Sequence, residues 1–114
     1  DMMYMPDAID AIIDLMEADP SRLIHRNAFN ITAMSFSPKE IAEEITRFIP
    51  DFKIKYDVDP IRQGIADSWP NYIDATAAKK EWEFKANYDL ASMTEDMLDK
   101  LSNKLQVKYK PPAA

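Results

Sequence analysis

Arg62-Gln63-Gly64-Ile65-Ala66-Asp67-Ser68-Trp69-Pro70 combines features that seldom occur together. It holds the single glycine of a 114-residue chain, and it sets a tryptophan directly before a proline. With Pro60 upstream and Pro70 at its end, the whole span 59–73 reads as irregular. A large aromatic ring flanked by a few polar groups suits the wall of a small-molecule pocket. The polar groups here are Arg62, Gln63, Asp67 and Ser68. A plainer reading stands beside it, in which Trp69 plugs the join between loop and core while Arg62 pairs with Asp67.

Outward from this loop the pattern becomes regular. Upstream, residues 52–58 alternate Phe52, Ile54, Tyr56 and Val58 against Lys53, Lys55 and Asp57, the clearest strand signal in the chain. Before it, Ser37-Pro38-Lys39-Glu40 opens a helix with a capping serine, a proline at the first helical position and a glutamate completing the capping box. Ile41, Ile45, Phe48 and Ile49 mark its buried face, Glu43 and Arg47 are spaced to pair, and Pro50 stops it. Residues 28–32 read as a strand, and residues 2–5 as a short buried one. Between those two lies a helix begun by Pro6 and Asp7. Its apolar face is Ile9, Ile12, Ile13 and Met16, widened by Ala8 and Leu15. Asp7, Asp10, Asp14 and Glu17 form the opposite, solvated stripe, and Asp7 is suited to cap the first turn.

Downstream of Pro70 a short helix is expected over 74–82 with Ala75, Ala78 and Trp82 on one side. Asn87-Tyr88-Asp89 reads as a turn. A final helix follows over 90–105, with Met93, Met97, Leu98, Leu101 and Leu105 as its stripe. Residues 108–114 read as a fraying tail. The alternation of strands and helices indicates a mixed α/β unit of short strands and amphipathic helices. Three short strands make a poor independent sheet, and the apolar helix faces exceed the surface available to cover them. The abrupt apolar opening at Met2 is read as a cut through a larger protein.

Composition narrows the chemistry. A hydrophobic fraction of 46% and a charged fraction of 30% are globular values. The net charge of −6 disfavours nucleic acid and anionic membranes as partners. No apolar run approaches the roughly 20 residues needed to span a bilayer. Without cysteine there is no thiolate metal site or cysteine nucleophile, and with one histidine, His25, no histidine-rich one. His25 is expected to be a surface or capping residue. No metal site and no self-contained catalytic set is expected. A dinucleotide cradle needs several glycines at one turn, so NAD-binding residues are not expected in this chain.

The stretch 62–70, followed by Ile73-Asp74 and Lys79-Lys80-Glu81-Trp82-Glu83-Phe84, resembles the C-terminal signature of extended short-chain dehydrogenases and epimerases. Met3-Tyr4-Met5-Pro6-Asp7-Ala8 resembles that family's strand-to-helix passage. Asp67-Ser68-Trp69-Pro70 with Ala33-Met34-Ser35-Phe36-Ser37-Pro38 resembles the short-chain L-threonine 3-dehydrogenase branch. The resemblance implies the substrate-side lobe of a Rossmann-type parent, here residues 1–107, with the dinucleotide-binding domain outside this chain. It implies oxidation of L-threonine to 2-amino-3-ketobutyrate with NAD, held by that other domain. The family's tyrosine-xxx-lysine pair matches no position here; Tyr88 and Lys108 do not form one.

Only substrate-side roles carry over. Trp69 is expected to wall the threonine side chain, with Arg62 and Ser68 beside it. Arg62 matches a position that faces phosphate in sugar-nucleotide relatives, so here it contacts substrate or orders the loop through Asp67. Tyr4 and Met5 are expected near the domain interface. The isolated piece is expected to self-associate, and the parent to work in the cytoplasm, or in the mitochondrial matrix of a eukaryote. Two alternatives remain: the corresponding lobe of a nucleotide-sugar epimerase or dehydratase, and a non-catalytic interaction domain.

Overall fold

The structure, a computed structural model, describes residues 1–106. The tail expected at 108–114 lies outside them. Among the described residues five α-helices follow in order: α1 (Met5–Glu17), α2 (Pro38–Phe48), α3 (Pro60–Asp67), α4 (Thr76–Trp82) and α5 (Leu90–Leu105), with a 3-10 turn at Pro20–Arg22. None of these helices is long and apolar enough to cross a membrane.

The mixed-strand expectation is corrected: the described residues contain no strand, only one antiparallel bridge between Met2 and Met34. Met2 makes the bridge, and residues 28–32 and 52–58 form no ladder among the described residues. A strand is stabilised by its neighbour's hydrogen bonds and by cross-strand side chains. Alternation marks the capacity to pair, and among the described residues these segments have no ladder partner.

Helix α2 starts as its sequence dictates. The Ser37 side chain accepts from the Glu40 amide at 3.4 Å, while Glu40 takes the Ser37 amide at 2.7 Å. Arg47 pairs with Glu44 at 3.0 Å instead of Glu43, and Lys39 takes Glu43 at 3.7 Å. α5 packs on α2 and is opened by a reciprocal cap between Asp89 and Ser92.

Helix α1 departs in part from its sequence reading: Asp10, Asp14 and Glu17 are exposed as expected, but the large apolar side chains and Asp7 are not placed as expected. Ala11 is buried and Leu15 half-buried, while Ile9, Ile12, Ile13 and Met16 are exposed. Asp7, expected to be solvated and to cap its own helix, is 2% exposed. Its carboxylate accepts instead from the amides of Asn87 at 2.9 Å and Tyr88 at 3.0 Å. Small Ala11 lets the helix approach the core, whose centre is Trp82, Phe84 and Ala78, with Phe29 and Ile31 packed around it. Trp82 meets Phe29 edge-on at 5.9 Å and Phe84 at 5.4 Å, both within the range of favourable aromatic pairing. α4 ends in a left-handed Glu83 at φ 61°, which turns the chain so that Phe84 returns to this core.

The radius of gyration is 17.7 Å, against about 13 Å for a compact domain of this length. Residues 53–74, including all of α3, are exposed and stand off the core.

Candidate functional site

The span expected to be irregular contains α3. Asp59 caps it, accepting from the amides of Ile61 at 2.9 Å and Arg62 at 3.2 Å, and Pro60 occupies the first turn. Gly64 lies within this helix, and nothing stands within 4 Å of where a Cβ would project. No glycine-bearing turn here fits the pyrophosphate of a dinucleotide, so the described residues do not supply its cradle.

Arg62 projects from the first turn with its Nε 3.7 Å from Asp59. The expected Arg62–Asp67 pair does not form; Asp67 instead accepts from the Gln63 amide nitrogen at 2.6 Å. Arg62 lines an open cleft of about 310 Å³ with Tyr56, Asp57 and Gln63. Ser68 turns its hydroxyl back to donate to the Ile65 carbonyl at 2.6 Å, ending the helix. The Trp69 ring is 67% exposed. It lines a different cleft, about 580 Å³ in volume, with Asp1, Asn30, Tyr72 and Asp74. The structure thus joins Arg62 and Ser68 to α3 and gives Trp69 to a second cavity. It does not bring the three side chains to one cleft.

Tyr72 and Asp74 are the functional candidates that the sequence reading passed over. The Asp74 carboxylate accepts from the Thr76 amide at 2.8 Å, and the Thr76 hydroxyl and amide hold its carboxyl below the ordinary carboxylate range. It is therefore an anion at neutral pH. The cleft combines two exposed aromatic rings, an anion and the Asn30 amide, groups that can hold a small polar molecule by stacking and hydrogen bonding. None of them is arranged as a nucleophile beside a base.

Two other ionisable clusters are structural ties. Glu81 is 6% exposed and accepts from the Ile24 amide at 2.7 Å, the His25 amide at 3.0 Å and the His25 ring nitrogen. Burial opposes its charge, but these donors outweigh it and hold the carboxyl below its ordinary range. Asp96 accepts from Tyr4 at 2.7 Å and from Lys100 at 2.6 Å. Met5 is exposed beside this tie. Between α2 and α5 a third cavity, about 330 Å³, is lined by Met3, Ile41, Ile45, Met93 and Met97 and offers almost no polar group to orient a ligand. Among the described residues no group of three or more His, Asp or Glu side chains could hold a metal ion.

No protein-family model matches the chain. It is 56% identical over 110 residues to an uncharacterized epimerase/dehydratase of Staphylococcus saprophyticus, covering 96% of this chain and 34% of that protein. A Staphylococcus aureus protein of the same description is 57% identical over 108 residues, again with 34% of its length covered. Among solved structures, the L-threonine dehydrogenase of Clostridium difficile superposes with a TM-score of 0.85 at 68% identity, over 91% of this chain and 33% of that one. The GalE-like L-threonine dehydrogenase of Cupriavidus necator in its holo form gives 0.81 at 49% identity, over 88% of this chain and 32% of that one. The chain thus spans about a third of the length of the proteins it matches. What it matches is the C-terminal part of epimerase/dehydratase proteins and of L-threonine 3-dehydrogenases.

Proposed function

We propose that the chain is the substrate-side part of an NAD-dependent L-threonine 3-dehydrogenase acting in the cytoplasm. The observation that carries the reading is the 68% identity and 0.85 TM-score against a solved L-threonine dehydrogenase, well above what a shared fold alone requires. In this reading Trp69 and Tyr72 wall the substrate. Asp74 offers a carboxylate to the threonine ammonium, and Arg62 orders the start of α3 through Asp59. NAD and the groups that act on the hydroxyl belong to the part of the protein outside this chain. That part also covers the exposed face of α1.

The descriptions of the staphylococcal relatives favour a second reading, a nucleotide-sugar epimerase or dehydratase. The two part on substrate. Full-length protein with NAD is offered L-threonine or a panel of nucleotide sugars, and absorbance of the reduced cofactor is followed. Net reduction with threonine alone supports the dehydrogenase. Conversion of a nucleotide sugar, with none of threonine, overturns it.

A further inference from the structure

Among the described residues only two acids are buried, Asp7 and Glu81, and the proposed chemistry uses neither. Glu81 sits near the end of α4 and reaches a loop 57 residues earlier in sequence. One carboxylate oxygen accepts from the amides of Ile24 at 2.7 Å and His25 at 3.0 Å, and the other meets Nδ1 of the His25 ring. That ring stands edge-on to Phe29 at 6.0 Å, and Phe29 stands edge-on to Trp82 at 5.9 Å. Apolar packing holds the loop against α4, but it is not directional. Hydrogen bonds to two amides and a ring fix where the loop lies and how it is turned. The exposed Arg22–Glu83 pair spans the same gap at 3.0 Å, where an ion pair contributes little.

Followed away from Glu81, both arms of this junction reach one cleft. The loop runs on through Phe29 to Asn30, which lines the 580 Å³ cavity beside Trp69. In the other direction α4 runs back to Thr76, whose amide is held by Asp74 at 2.8 Å, and Asp74 and Tyr72 line the same cavity. Among the described residues no hydrogen bond crosses between residues 28–31 and residues 69–75. We infer that Glu81 is a positioning residue for the substrate: by clamping residues 24–25 to α4, it sets the separation of Asn30 from Tyr72 and Asp74. It does so from outside the cavity, which it does not line. A displacement of about 1 Å in such a wall is enough to change how a small molecule is held. The inference rests on the reading of this cleft as the substrate's.

Steady-state kinetics of the full-length protein with L-threonine and NAD are the test. Glu81→Ala is expected to raise KM for L-threonine about tenfold, with kcat within about twofold of wild type and NAD affinity unchanged. Glu81→Gln keeps the length, accepts both amides through its oxygen and donates to the ring through its nitrogen, so it is expected to return KM to within about twofold of wild type. Asp7→Ala removes a carboxylate that also holds two amides, Asn87 and Tyr88, neither of which borders the cleft. Its KM is expected to stay at the wild-type value, whereas a general loss of stability would move both alanine variants alike. Should Glu81→Ala fail to fold, His25→Ala, which removes the ring bond alone, is read in its place, with KM expected to rise about threefold. An unchanged KM in the alanine variant that is read, an equal rise in Asp7→Ala, or an equal rise in Glu81→Gln overturns the inference while wild-type threonine turnover stands. Wild-type protein that does not turn over L-threonine overturns the proposed function, and this inference with it.

Discussion

Asp7 and Asn87 are eighty residues apart in sequence, yet the buried Asp7 carboxylate takes the Asn87 amide at 2.9 Å and, through its second oxygen, the Tyr88 amide at 3.0 Å. One side chain on α1 thereby satisfies the backbone of the turn that leads into α5. Replacing it with alanine strands two donors, and each buried unsatisfied group costs about 1–3 kcal/mol. Asp7→Ala is expected to lower the stability of the full-length protein by at least that amount in urea unfolding. Asp10→Ala, on the exposed side of the same helix, is expected to fall within about 0.5 kcal/mol of wild type.

The Tyr4–Asp96–Lys100 tie makes a prediction about pH. Hydrogen bonds from Lys100 and then Tyr4 hold the Asp96 carboxyl below its ordinary range, and the hydrogen bond to Asp96 pushes the Tyr4 hydroxyl up. A carboxyl lowered in the folded state contributes stability that is complete above its unfolded value, near 3.9, and is lost as pH falls through the folded value. A tyrosine raised in the folded state contributes below about 10 and loses that contribution as pH rises through its higher folded value. Asp96→Asn is therefore expected to flatten both flanks of the stability–pH curve. A curve unchanged by the substitution would show that the tie contributes nothing.

Trp82 and Trp69 should separate stability from function. Trp82 is buried among Phe29, Phe84 and Ala78, and Trp82→Ala is expected to cost about 3–5 kcal/mol. The exposed Trp69 is expected to cost under about 1 kcal/mol when truncated. Thermal unfolding of the two variants reads the difference directly.

The 114-residue chain by itself is expected to show no calorimetric binding of NAD. It is also expected to self-associate, because the α1 face of Ile9, Ile12, Ile13 and Met16 stands exposed. Sedimentation at rising concentration tests the second point. Purely monomeric behaviour would mean that this face is not a cohesive surface.

How far the sequence discloses this molecule depends on how local each signal is. Ser37 and Glu40 interact three residues apart, and their helix is legible. Asp59-Pro60 carries the same kind of cap, but Gly64 and Pro70 nearby mask the helical signal of α3. Hydrophobicity distinguishes the α1 faces, but it marks what must be covered and says nothing of whether this chain covers it. Ala11 and Asp7 face the core because Trp82 and Asn87 are there, eighty residues away or nearly so, and no periodicity carries that information. Trp69 was conspicuous as a loop aromatic before a proline. Tyr72 looks ordinary in sequence and Asp74 stands out only within the family signature, with no site role; the path of the chain after Pro70 brings both beside Trp69.

Steady-state kinetics of Trp69→Ala in the full-length enzyme bear most directly on the substrate-side assignment. Losing an aromatic wall is expected to lower kcat/KM for L-threonine by about 10- to 100-fold while the affinity for NAD stays near wild type. Unaltered threonine kinetics, or an equal loss of NAD affinity, would contradict the placement of this cleft on the substrate.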